Sequence, residues 1–100
     1  MARNKPYTLH PEAQAETDGA YNWYLERSDD ATFGFLISVS EALDVVSRNP
    51  NRWPEYLYGT RRYLLPTFPF SVVYLEQPET VTIIAVAHHK RRPGYWKTRL

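Results

Sequence analysis

Cysteine is absent from the chain, which excludes disulfides and thiol chemistry and points to a reducing compartment. Histidine is scarce: His10 stands alone and His88 and His89 are adjacent, so in an extended segment the pair faces opposite ways and cannot share one metal. No metal site and no cofactor are therefore expected. The sequence holds no apolar run of roughly 18 residues and no charged-then-apolar leader, so neither a membrane span nor a signal peptide is expected, and the cytoplasm is the expected location. Repeats and low-complexity stretches are missing. Acidic residues are missing too from one critical place, since no Asp or Glu follows His88.

What is present suffices for one folded unit. With 43% hydrophobic and 15% aromatic residues in 100, the chain can build a single core, and residues 1–100 are read as one domain. The net charge of +1 conceals a division. Residues 1–50 carry four Lys or Arg against eight Asp or Glu, a net of −4, and residues 51–100 carry eight against three, a net of +5. Halves of opposite sign steer different partners to different faces.

The run Thr80-Val81-Thr82-Ile83-Ile84-Ala85-Val86-Ala87 lacks the alternation of a half-solvated strand and predicts one buried on both faces at the centre of a sheet. It delivers a tail with two histidines, five Lys or Arg residues and the aromatics Tyr95 and Trp96. Upstream, Met1 to Lys5 reads as a polar leader, and Tyr7-Thr8-Leu9 as a short edge strand. Pro11 suits a first helical position, with Glu12 favourably placed against the helix dipole. Ala13, Thr17, Ala20 and Tyr24 then recur at helical spacing, and Gly19 either weakens this helix, by roughly 1 kcal/mol relative to Ala, or lets another helix approach closely. Ser28-Asp29-Asp30 ends that helix and caps the next. Phe33, Leu36, Val39, Leu43 and Val46, widened by Phe35 and Ala42, predict the inward stripe of the second helix, which stops at Arg48-Asn49-Pro50.

Two helices so joined pack as an antiparallel hairpin. Residues 49–61 form a loop whose Trp53, Tyr56 and Tyr58 either cap the core or stay exposed. Arg62 to Leu65, Phe70 to Glu76 and the strand from Thr80 form a meander, with a turn at Gln77-Pro78-Glu79. The expected fold class is α+β: a short N-terminal strand, then an antiparallel helical hairpin packed on an antiparallel sheet, in the order β-α-α-β-β-β, with a basic C-terminal tail.

Five stretches in this order resemble the RelE/ParE superfamily of toxins from type II toxin–antitoxin systems. They are Asn22-Trp23-Tyr24-Leu25-Glu26, Asn49-Pro50, Arg61-Arg62, Phe68-Pro69-Phe70-Ser71-Val72-Val73-Tyr74 and Val86-Ala87-His88-His89-Lys90-Arg91-Arg92-Pro93-Gly94-Tyr95-Trp96. The resemblance implies a compact growth-inhibiting toxin blocked by a cognate antitoxin protein that wraps around it, with which it can form a toxin–antitoxin hetero-oligomer. Two targets are implied by the superfamily's two branches, DNA gyrase or the ribosome with its mRNA, and a degenerate toxin or a non-catalytic nucleic-acid-binding module is the third reading.

In the ribonuclease branch, attack of a 2′-OH on its phosphate needs cations against the developing charge and a group that moves protons. By resemblance Arg62, His89 and Tyr95 match catalytic positions of that branch. Leu64 and Ser71 stand where it carries further basic residues. The gyrase-inhibiting branch needs no such set and accommodates the pattern better. Arg61, Arg91, Arg92, Lys97 and Arg99 are candidates for contact with phosphate or another target anion, because guanidinium binds carboxylate and phosphate through paired hydrogen bonds. His88 is read as a hydrogen-bonded histidine at the core's edge, leaving His89 as the functional one unless a bulge reverses the strand's parity. Trp23 and Tyr24 are read as packing residues, and Tyr95 with Trp96 as an anchor folding the tail back.

Overall fold

The computed structural model describes residues 5–100; most of the N-terminal leader lies outside the described residues. The element order is β1 (Tyr7–Leu9), α1 (Pro11–Leu25), α2 (Asp29–Arg48), β2 (Arg61–Leu64), β3 (Phe70–Glu76) and β4 (Val81–His88), with short 3₁₀ turns in the 50–59 loop and at Lys97–Arg99. The helix signals act as read. His10 Nδ1 accepts the amide of Glu12 at 3.0 Å ahead of Pro11, and the Ser28 hydroxyl accepts the amide of Ala31 at 3.1 Å, each satisfying an orphan donor at a helix start.

The sheet has four strands in the order β1-β4-β3-β2, so β4 is interior. Strands β2, β3 and β4 form the antiparallel meander, whereas β1 joins β4 in parallel, Tyr7 opposite Val81 and Leu9 opposite Ile83. The sheet is thus mixed rather than wholly antiparallel. The helical hairpin is itself the crossover that returns the chain to a parallel course, which a hairpin turn cannot do.

Each face of the sheet has its own cover. On one face Phe70, Val72, Tyr74, Val81, Ile83 and Val86 pack against Ala13 and Ala20 of α1 and Phe35, Val39, Ala42, Leu43 and Val46 of α2. On the other, Val73, Ile84 and Ala85 are covered by Trp96 from the tail, with Tyr56, Leu75, Ala87 and Tyr95 around it. This second, smaller core is why β3 and β4 carry no polar alternation. The predicted stripe of α2 is displaced: Phe35, not Phe33, points inward, and Phe33, Leu36 and Ile37 are exposed. The helix rotates to seat Phe35 among Tyr24, Phe68 and Phe70, ring centroids 5.3–5.7 Å apart, a packing that outweighs burial of Phe33.

Candidate functional site

Strand β4 does not run with unbroken parity. Val73 pairs with Ala85 and Tyr74 with Ile83, leaving Ile84 as an extra residue in a bulge. Ile83 therefore faces the helices, Ile84 and Ala85 face the tail, and beyond the bulge Val86 faces the helices again. The bulge decides the histidines. His88 lies with its ring centroid 5.0 Å from that of Phe70 and accepts the Lys90 amide on Nδ1 at 3.1 Å, a residue held at the core's edge. The ring of His89 turns the other way, its Nε2 2.9 Å from the hydroxyl of buried Ser71.

On that same face lies a cavity of about 170 Å³. Strand β2 contributes Arg62 and Leu64, β3 contributes Ser71 and Val73, and the segment leaving β4 contributes His89, Arg91, Arg92 and Pro93, with Tyr56, Tyr95 and Trp96 behind them. Two of its three guanidiniums rest on aromatic faces. Arg62 stacks on Tyr56 at 4.1 Å and Arg91 on Tyr95 at 3.8 Å, so each keeps its planar N–H edge for another partner. A cavity with three arginines, two histidines, of which His89 turns its ring to the hydroxyl of Ser71, and an apolar floor can hold an anionic group.

The tail reaches this position by folding back across the sheet. Gly94 makes the turn at φ +82°, and a Cβ there would sit 3.2 Å from the Tyr58 ring, so both the left-handed backbone and the close approach require glycine. Trp96, 1% exposed, plugs the second core against Tyr56, while Tyr58 meets the same indole edge-on and stays 53% exposed. Trp53 packs instead against the main core, beside Tyr63.

Of the residues singled out in the sequence, Arg62, His89, Arg91, Arg92 and Tyr95 line this one cavity, and Arg61, Lys97 and Arg99 do not. Arg61 neighbours Arg62 on a strand and so points to the opposite face, where it donates to the Trp53 carbonyl at 2.6 Å. Lys97 sits 4.8 Å from the Tyr58 ring centroid. Arg99 is committed internally, donating through Nη1 and Nη2 to the Glu16 carboxylate at 2.9 and 3.1 Å with its side chain only 11% exposed. Its guanidinium is held even more firmly protonated than usual: burial opposes the charge, and the paired carboxylate outweighs burial. The Tyr95 hydroxyl also donates to Glu16, and burial first, then that carboxylate, pushes its pKa upward.

Sequence reading missed Glu16. It occupies α1 four residues before Ala20, and the unmatched cation Arg99 in an acid-free tail was the available signal.

A second concavity, about 470 Å³ and mainly apolar, lies between α1 and the end of the sheet, lined by Gly19, Ala20, Trp23, Tyr24, Phe70 and Tyr95 among others, with Lys90 and Arg91 on its rim. Gly19 is not a helix contact, since a Cβ there would meet nothing within 4 Å; it leaves this groove open. Trp23 is not a core residue either, being 54% exposed beneath the stacked guanidinium of Arg27. Tyr24 packs on the core as read. Among the described residues no group of three or more His, Asp or Glu side chains is placed to hold a metal ion, and no helix is long and apolar enough to cross a membrane.

Fold and site together define a small α+β protein with a cationic cavity walled by β2, β3 and the segment that follows β4. The chain belongs to the family of ParE toxins of type II toxin–antitoxin systems (parDE), whose profile matches residues 7–93. A solved structure described as the chromosomal ParDE TA system from P. aeruginosa shares the fold with a TM-score of 0.73 at 16% identity, covering 84% of this chain and 95% of that one. No curated protein matches the sequence.

Proposed function

We propose that this chain is a growth inhibitor that acts in the cytoplasm on DNA gyrase and is neutralised by a cognate antitoxin. The observation that carries the gyrase reading is the make-up of the cavity. Where phosphodiester cleavage calls for additional cations, the wall presents Leu64 and Ser71, and the Ser71 hydroxyl is taken up with His89. The Tyr95 hydroxyl is spent on Glu16 and its pKa is raised, which removes it from proton transfer near neutrality. What is left is a binding surface: Arg62, Arg91 and Arg92, suited to carboxylates or phosphates of a macromolecular target.

A ribosome-dependent mRNA endoribonuclease is the second reading, favoured by one observation, that Arg62 and His89 share the cavity. An antitoxin partner is supported by membership of the ParE family. The apolar groove with its Lys90 and Arg91 rim suits an acidic amphipathic segment, and the exposed edge strand β1 suits strand addition.

Purified protein added to a gyrase supercoiling reaction is expected to inhibit it, and Arg62→Ala or Arg91→Ala to weaken inhibition about tenfold, the loss of one charge-assisted contact. Intact supercoiling together with message cut only on translating ribosomes overturns the gyrase reading in favour of the nuclease. Growth arrest on expression that is relieved by co-expressing a small neighbouring reading frame is the expected outcome for the antitoxin, and harmless expression of the chain alone overturns the growth-inhibitor reading.

A further inference from the structure

We propose that Glu16 is a positioning residue for the basic cavity, holding Arg91 in place through Tyr95. Strand β1 pairs with β4 only as far as Ile83, so beyond that point the flank of β4 has no neighbouring strand. The gap is filled by side chains. The Glu16 carboxylate accepts the Val86 amide at 3.0 Å, and Arg99 donates to the Ile84 carbonyl at 3.1 Å. The same carboxylate accepts the Tyr95 hydroxyl and both terminal nitrogens of Arg99. One carboxylate thus joins α1, the open flank of β4 and the C-terminal tail, and with its side chain 16% exposed its charge is matched by a full set of donors.

The link to the cavity runs through the Tyr95 ring. Arg91 lies 3.8 Å from its centroid and Arg99 5.2 Å, so the ring is held by Glu16 and Arg99 and in turn supports Arg91. Arg91 is exposed, and among the described residues its side chain has the Tyr95 ring as its partner and no side-chain hydrogen bond. Its placement in the cavity rests on that ring. Trp96 anchors the tail independently, so loss of the Glu16 contacts loosens the Tyr95–Arg91 pair without releasing the whole tail.

The proposal rests on the reading of the cavity as an anion-binding surface, and electrostatics makes the test one of sign. Glu16→Gln removes a negative charge near a cationic cavity, which by field alone tightens binding of a polyanion. A positioning role predicts the reverse. With a short fluorescent oligothymidylate as probe, Glu16→Gln and the isosteric Tyr95→Phe are expected to weaken binding severalfold, as Arg91→Ala does, while circular dichroism stays native. Unchanged or tighter binding in both variants overturns the proposal.

A ligand-free readout separates this from failure of the cavity reading. The Arg91 Nε–H resonance is expected to be displaced by the Tyr95 ring in the parent and to collapse towards the exposed-arginine position in either variant. If the parent protein binds no probe, the cavity reading falls and the resonance alone judges the clamp. An Arg91 signal that does not move overturns it. Should Glu16→Gln fail to fold, Tyr95→Phe, which keeps the ring, decides by the same two criteria.

Discussion

Individual side chains in this protein are assigned to opposite tasks by very small changes of position. Arg61 and Arg62 are consecutive, yet one braces the loop through the Trp53 carbonyl and the other lines the cavity. His88 and His89 both border the cavity, yet the ring of one packs on Phe70 and that of the other meets the Ser71 hydroxyl. Tyr74 shows what full burial does to a polar residue. Wholly inaccessible, its hydroxyl donates to the Pro50 carbonyl at 2.6 Å and pins the loop after α2 to the sheet. Burial raises its pKa above the ordinary 10.0, with Arg61 opposing and Glu76 adding to the rise.

The folded state therefore retains a proton that the unfolded chain releases. Stability from this source is complete below pH 10.0 and declines as the pH climbs past it. The slope is at most about 1.4 kcal/mol per pH unit for one group. Urea unfolding compared between mildly and strongly alkaline buffer is expected to show this decline. Tyr74→Phe is expected to cost about 1 kcal/mol at neutral pH, for the lost hydrogen bond, and to reduce the alkaline slope without abolishing it, because Tyr95 is raised too. An identical slope in the variant would show that Tyr74 does not carry it.

Among the elements, α1 is the one whose composition is least suited to its own stability. It has a narrow inward face of Ala13 and Ala20, a mid-helix glycine and no basic residue in its last turn to offset the dipole. Gly19 offers a clean test, because it is exposed and a Cβ there meets no atom within 4 Å. Gly19→Ala is expected to raise the free energy of unfolding by about 1 kcal/mol, seen as a shift of the urea midpoint at unchanged slope. Of the two readings of this glycine, close approach of another helix is excluded by the open space around it, which leaves the weakened helix. Periodicity located both helices, but it could not rotate them: Phe33 and Phe35 fit an apolar stripe equally well, and only Tyr24, Phe68 and Phe70, brought from three other segments, select Phe35.

At the scale of the whole molecule the protein is a sheet with two unlike covers, helices on one side and its own C-terminal tail on the other. The tail is both structure and site, since Trp96 closes the second core and the residues just before it wall the cavity. Removing residues 95–100 is expected to uncover Val73, Ile84 and Ala85, lower stability by at least about 3 kcal/mol, the cost of one deleted tryptophan, and increase the binding of an apolar dye. Native dye binding and an unchanged melting temperature would mean that the tail adds no stability.

The charge division of the sequence also acquires a form at this scale. The positive half supplies the cavity, and one acid from the negative half, Glu16, reaches across to organise it. Local signals in the sequence were enough to place α1, α2, the meander and the interior position of β4, because caps, proline stops and apolar periodicity act within a few residues. They also marked the acid-free tail as a concentration of cations. The parallel docking of β1, the bulge that sorts His88 from His89, and the division of the arginines between cavity and clamp were settled only by tertiary structure. Each of these depends on which distant backbone or side chain occupies the neighbouring space, and no window of the chain contains both partners.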